Sequence, residues 1–538
     1  MLGSFAASAI FVFLLCFLFD PRWETNDDVG MSMVAHGYGL AAIGSPNLIF
    51  SNVLWGYLVR LIPAINGNLG YSIATLSVLA FVGTALIYGL FRLGLGYVAS
   101  LFILALILVR PVLFPQFTIN AGLLMVGAIL CWQLFARQND QQVLVFGSLL
   151  AYCSYLVRSQ EFFLVLVVAL PLVPWRTLLR HHTPRITLLI LVSAIAVSAV
   201  IDHQAYQGKE WQSFNELNPA RAPFTDYGAG GYMKQRTDIL ERHGYSPNDI
   251  DLISTWFFVD SRIANPKELT AMLDELGPLP IQAKSLTNAW LGVRTLWHPV
   301  LLPFVLAALL LAVLHPGWKV FAVWGLCVTA VFALGLLGRP GVLRVYFPLV
   351  CLLVIAPFLT QERRPRTQGV WRHRLAVGII FVAALVNCSA VILESKASGV
   401  DSEQAKHGLI DFPTYPVVIW GADFPFEAAY PVLQSSQPAM HYRLYGLGVF
   451  TLAPFSVAYT EQQHGRGMTD LLVGGSGLSV IAGEHNISSL ATYCGERLHG
   501  ELKEISTREF GQVQLSRRRC EVGVKFGAQA FQEYQEHE

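Results

Sequence analysis

Charge is scarce in this chain. Asp, Glu, Lys and Arg make up 14% of its 538 residues, against about a quarter in soluble domains. With 54% hydrophobic residues and a mean hydropathy of +0.49, that scarcity excludes an ordinary soluble globule and implies an integral membrane protein. A surplus of either sign is missing too. The 37 basic and 36 acidic residues leave a net +1, so no nucleic-acid partner is expected. Cysteine and histidine never fall in a zinc-type spacing. There is no Walker loop and no Gly-x-Ser-x-Gly elbow, and Gly474-Gly475-Ser476-Gly477 lacks a strand-to-helix context and reads as a turn. No internal repeat is visible, which weighs against transporters built from inverted repeats. The apolar run 5–19 has no small-x-small cleavage site after it and reads as an uncleaved first span.

What is present is a succession of nearly uncharged runs, at 4–19, 69–91, 95–114, 118–135, 142–157, 161–175, 186–202, 298–314, 319–337, 341–360 and 375–393. Each approaches the ~20 residues that cross a hydrocarbon core, so an α-helical polytopic membrane protein of about eleven transmembrane helices is expected. Two loops are strongly basic, 175–185 and 361–374, and belong in the cytoplasm. A cytoplasmic N-terminus satisfies both. The loop 20–68, the loop 203–297 and the tail from about 394 then share the outer face. Segment 47–65 holds Asn52, Gly56, Arg60 and Pro63 and suits an interfacial or re-entrant helix.

The expected organisation is a transmembrane module 1–393 and an extracytoplasmic C-terminal domain 394–538. The tail reads as a small α/β domain with β-like runs at Val417-Val418-Ile419-Trp420 and Leu471-Leu472-Val473. Six of the eight cysteines lie in apolar runs as small hydrophobes, whereas Cys494 and Cys520 lie in the polar tail. They can pair if that tail meets an oxidising compartment.

The first outer loop carries Trp23-Glu24-Thr25-Asn26-Asp27-Asp28. Two adjacent carboxylates at the mouth of a membrane bundle repel each other. They are costly unless they hold a cation or take a proton. Arg339 and Arg344, in Gly338-Arg339-Pro340-Gly341-Val342-Leu343-Arg344-Val345-Tyr346-Phe347-Pro348, lie at the outer start of the tenth span. An arginine there snorkels or meets an anion such as a lipid phosphate.

This arrangement resembles the GT-C superfamily of polyprenyl-phosphate-sugar-dependent glycosyltransferases: a first span, an acid pair in the first outer loop, loop helices, then many further spans. Arg-x-Tyr-x-Pro is similar to segments of those enzymes. The resemblance implies a GT-C-like fold and a polyprenyl-phosphate-linked sugar as donor. It also implies a glycan, lipid or protein acceptor, with Asp27 or Asp28 as catalytic base or ligand of a divalent metal (Mg or Mn). Plasma (inner) membrane residence among membrane lipids follows from it.

Further candidates come from the residues themselves. His298, beside Trp297, reads as a phosphate contact or an interfacial residue, and Arg158 as a phosphate contact or a partner of Glu161 three residues on. Arg110 reads as a snorkelling residue. Loop 203–297 offers Trp211, Phe214, Asn215, Asn218, Arg221, Asp226 and Tyr227, where aromatic faces and polar edges suit a sugar acceptor. Asn215, Asn218 and Arg221 fall on one face if helical, and Pro219 and Pro223 interrupt that helix, so a capped loop is the alternative. Two rivals stand beside the transferase: a transporter or flippase of lipid-linked saccharide, and a surface-glycan polymerase or ligase.

Overall fold

The computed structural model describes residues 1–277, 283–360, 370–433 and 439–522. It is mostly helical (68%), with a five-stranded sheet near the C-terminus, which fits a helical membrane protein. Among the described residues six helices have the length and composition to cross a bilayer: Gly70–Arg92, Phe117–Gln138, His182–Ala205, Trp318–Leu336, Leu343–Thr360 and Val370–Gly408. A pair bent by 82°, Ser285–Trp297 with Leu302–Leu314, adds a seventh if taken as one span.

Four expected runs fall on shorter apolar helices: Leu2–Leu18, Tyr97–Leu113, Gln141–Val157 and Ser159–Val168. The run 161–175 departs most from expectation. Its helix stops at Val168, because Pro171 disfavours helical geometry at Leu170, and the chain then turns. Ten residues rise about 15 Å, half a hydrocarbon core. Segment 47–65 holds the nine-residue helix Val53–Leu61, capped by the Asn52 side chain. Of the basic stretch 361–374, Arg363, Arg364 and Arg366 lie outside the described residues, as does the end of the tail from 523.

Helix Phe117–Gln138 forms the centre of the bundle. It is buried from Phe117 to Phe135 and packs on Gly70–Arg92, Gln141–Val157, Ser159–Val168 and Leu343–Thr360. His182–Ala205 instead exposes Leu189, Ile190, Val192, Val197 and Val200, the apolar surface expected where lipid covers a helix.

At one end of the bundle lies a polar layer. Its sheet has strands β1 (Val417–Trp420), β2 (Leu444–Leu447), β3 (Leu478–Ala482), β4 (Gly500–Phe510) and β5 (Val513–Val522) in the order β2-β1-β3-β5-β4. β1 runs parallel to β2 and β3, with Val417 opposite Leu444 and Val418 opposite Val480, while β5 is antiparallel to β3 and β4. The expected strand at 471–473 is instead the end of helix Met468–Val473. Asp470 accepts the Gly467 amide at 3.0 Å and starts that helix, and Leu472 is buried.

The layer is not made by the tail alone. Phe257 packs on Trp420 and Tyr493 at 5.4 and 5.1 Å, so loop 203–297 and the sheet share one core. The first loop joins through backbone bonds, Leu444 N–H to the Gly39 carbonyl and Val457 N–H to that of Leu40, both 2.9 Å. Helix Val370–Gly408 runs unbroken through residue 394 into this layer, and Cys494 and Cys520 form a disulfide there.

Candidate active site

Residues 20–25 run beside the end of helix Tyr97–Leu113. The Arg22 amide donates to the Leu113 carbonyl at 2.9 Å and the Glu24 amide to that of Pro115 at 3.2 Å. Thr25 is then the N-cap of helix Asn26–His36, and its hydroxyl donates to Asp28 Oδ2 at 3.3 Å. Both acids fall in the first turn, where the helix N-terminus favours negative charge. The helix ends at Gly37, in the left-handed region at φ 75°.

The two acids face different ways. Asp28 is fully buried and accepts the Tyr71 hydroxyl at 3.0 Å and the Phe117 backbone N–H at 3.1 Å. It therefore ties its own helix to the starts of Gly70–Arg92 and Phe117–Gln138. Burial pushes its carboxyl up to about 8; the Tyr71, Phe117 and Thr25 donors pull it down and the Asp27 charge adds to the rise. Asp27 remains 26% exposed and pairs with Arg344 Nη1 at 2.6 Å. A third carboxylate comes from the tail. Glu427, on the short helix Phe426–Ala429, accepts the Asn26 backbone N–H, and burial, with the Asp27 charge, holds it above the usual carboxylate range.

Arg344 is the second residue of helix Leu343–Thr360. Arg158 occupies the extended break between Gln141–Val157 and Ser159–Val168, with its guanidinium 4.7 Å over the Phe117 ring. Arg344, Glu161, Asp27 and Arg339 all act electrostatically on Arg158. Arg339 lies over Tyr227 at 5.3 Å and reaches Asp226 Oδ2 at 3.7 Å, and Asp226 also takes Arg221 Nη1 at 3.0 Å. Four guanidiniums and the carboxylates of Asp27 and Asp226 thus form one surface. Its surplus is positive.

Three expectations change here. Arg158 and Glu161 attract each other but form no ion pair within 4 Å: the three-residue spacing works inside a helix, and Arg158 is the extended residue before one. Glu161 is 2% exposed, and its Oε1 has no hydrogen-bond partner. Arg110 does not snorkel. It is buried between Glu24 and Glu394, each at 2.8 Å. His298 is exposed and its Nδ1 accepts the Val300 amide at 3.3 Å; no contact among the described residues joins it to the arginines.

The sugar-contact candidates divide. Helix Gln212–Asp226 runs through Pro219 and Pro223, so Asn218 and Arg221 share a face and hydrogen-bond each other. Arg221 also lies 4.4 Å over the ring of Trp256. Trp256 holds a left-handed φ of 72°, a conformation that costs a non-glycine residue about 1–2 kcal/mol. Asp226 and Tyr227 reach the arginine surface. Trp211 instead sits edge-on among Tyr206, Phe214 and Phe455 at 4.8, 5.3 and 5.9 Å, and Asn215 donates to the Tyr206 carbonyl at 2.6 Å. Both hold the loop together.

A divalent metal fits these residues poorly. Asp27 already faces a guanidinium, Asp28 is enclosed by three hydrogen-bond donors, and the described residues assemble no group of three or more His, Cys, Asp or Glu. The acids suit a cationic side chain and a proton better. Comparison with known protein families, with curated proteins and with solved structures gave no match.

Proposed function

We propose that the chain is a GT-C-like glycosyltransferase that moves a sugar from a polyprenyl-phosphate donor to a hydroxyl of a cell-envelope glycan, lipid or protein. The observation that carries this reading is the 2.6 Å contact between Asp27 and Arg344, residues 317 apart, with Arg158 and Arg339 beside it. An acid and a phosphate-binding surface at one place are what such a transfer needs.

In this reading the acceptor oxygen bonds to the anomeric carbon as the bond from that carbon to the phosphate oxygen breaks. The acceptor proton passes to Asp27. The electron pair leaves with the lipid phosphate, whose charge Arg344, Arg339 and Arg158 hold. An incoming phosphate draws Arg344 away from Asp27 and frees that carboxylate to take the proton. Asp28 and Glu427 position the helix and touch no reacting atom. The disulfide in the same layer supports an outer-face location in the plasma (inner) membrane, where the sugar donor is lipid-linked.

The test uses purified protein, polyprenyl-phosphate sugars and an envelope acceptor. Asp27→Asn is expected to lower turnover by roughly 10²–10⁴-fold, the usual worth of a positioned general base. Arg344→Ala is expected to raise the donor KM as well as lower turnover. Undiminished transfer by Asp27→Asn sinks the base assignment.

The buried Glu161, whose Oε1 has no hydrogen-bond partner among the described residues, favours a second reading, a proton-coupled transporter of lipid-linked saccharide. Donor translocation in vesicles without any glycosidic product, abolished by Glu161→Gln, would establish it instead.

A further inference from the structure

The C-terminal sheet carries a cavity built from residues that the acid pair does not touch. Its volume is about 490 Å³, within the range of small-ligand sites; residues 414–416, Arg443, Ser476 and Gly477 line it just before β1, β2 and β3, and Ser479 of β3 and Arg517 of β5 line it from within the sheet. At its base Glu461 is 2% exposed. Its carboxylate accepts Arg443 Nη2 at 2.9 Å, Arg466 Nε at 2.7 Å and Arg466 Nη2 at 3.2 Å. One buried carboxylate thereby holds two guanidiniums in place while both remain half-exposed toward solvent.

The third cation comes from the triplet Arg517-Arg518-Arg519 on β5. Arg518 pairs with Glu504 at 2.6 Å and Arg519 with Glu521 at 2.7 Å. Arg517 is exposed on the cavity wall and forms no ion pair among the described residues. Three guanidiniums against one carboxylate leave the lining with a surplus of two positive charges. Tyr415, 51% exposed, presents a ring at the same wall, and Ser479 adds a hydroxyl.

We infer that this cavity binds an anionic saccharide, a sugar bearing carboxylate or phosphate groups. The guanidiniums take the anionic oxygens, the Tyr415 face takes the C–H face of the ring, and Ser479 takes a hydroxyl. A bare anion would leave the tyrosine idle, and a neutral sugar would leave two positive charges without a partner. The inference does not rest on the transfer reaction, since none of these residues belongs to the Asp27 surface.

Full-length protein in zwitterionic nanodiscs is titrated calorimetrically with an oligogalacturonate, glucose 6-phosphate, maltotetraose and inorganic phosphate, at low and high salt. The first two separate carboxylate from phosphate recognition. At least one of them is expected to bind tenfold or more tightly than maltotetraose and inorganic phosphate, and more weakly at high salt. Arg517→Ala is expected to lose about tenfold in affinity with an unchanged melting temperature, and Arg517→Lys to keep part of it. Repeating the titrations in Arg344→Ala weakens any share that the Asp27 surface contributes. Equal binding of maltotetraose or inorganic phosphate, wild-type affinity in Arg517→Ala, or no binding by either anionic sugar overturns the inference.

Discussion

Asp27 and Asp28 are chain neighbours in opposite surroundings, and pH separates them. Asp28 is raised from its ordinary 3.8 to about 8, so between those values the folded protein keeps a proton that the unfolded chain has released. Its contribution is complete below about 4 and is lost as pH rises toward 8, by at most about 1.4 kcal/mol per pH unit. His36 works in the other direction. Burial, then the Arg60 charge, lowers it from 6.5 to about 4, and its Nε2 accepts the Tyr71 backbone N–H at 3.2 Å. That contribution is present above 6.5 and fades as pH falls. The two effects oppose each other below 6.5, and above it only Asp28 of this pair still titrates. Wild type is therefore expected to lose more melting temperature between pH 6.5 and 8 than Asp28→Asn, which keeps an acceptor oxygen. Parallel slopes in the two proteins would remove Asp28 as the source. The position of the acid pair after the first apolar run was legible in the sequence. Its division of labour was not, because Tyr71 and Phe117 lie 43 and 89 residues from Asp28.

Among the elements, apolar runs located the helices well and the irregular joints poorly. Thr25-x-x-Asp28 marks a helix start, and Pro171 marks the end of Ser159–Val168; both signals are local. The extended backbone at Arg158 and the helix through Pro219 and Pro223 answer to tertiary contacts that spacing does not reveal. The same holds for the approach that places Arg344. Helix Leu343–Thr360 meets Phe117–Gln138 at Gly122, where an added Cβ would lie 2.4 Å from Pro348 Cβ and Cγ. Pro348 is one turn from Arg344. Gly122→Val must push the two helices apart, at a cost of roughly 1–3 kcal/mol for overpacking. It is expected to lower both the melting temperature and the turnover with a lipid-linked donor. Full turnover in a destabilised variant would show that the place of Arg344 does not depend on this contact.

At the scale of the molecule, the polar layer constrains the path of the chain between its visits. Arg158 lies beside the Asp27 surface, and the Ala205 carbonyl accepts Asn47 Nδ2 at 3.0 Å, so both ends of 158–205 belong to that layer. The chain between them must leave and return. His182–Ala205 is long enough for one leg, which gives the other to the short helices Ser159–Val168 and Trp175–Arg180 and their turn. On this path the broken stretch stands in for the expected span 161–175, and the basic residues 176–185 lie at the end that the proposed topology assigns to the cytoplasm. Single cysteines read by a membrane-impermeant maleimide on intact cells check this path. Asn66→Cys, Thr237→Cys and Gln463→Cys, all exposed in the layer, are expected to label together. Gln141→Cys and Arg180→Cys, also exposed, are expected to label only after permeabilisation. Labelling of Arg180→Cys with the first group would mean that 159–180 dips into the bilayer and returns. The next leg, His182–Ala205, would then have to re-enter the layer from the wrong side, and the common face for Asp27, Arg344 and the sheet would fail with it.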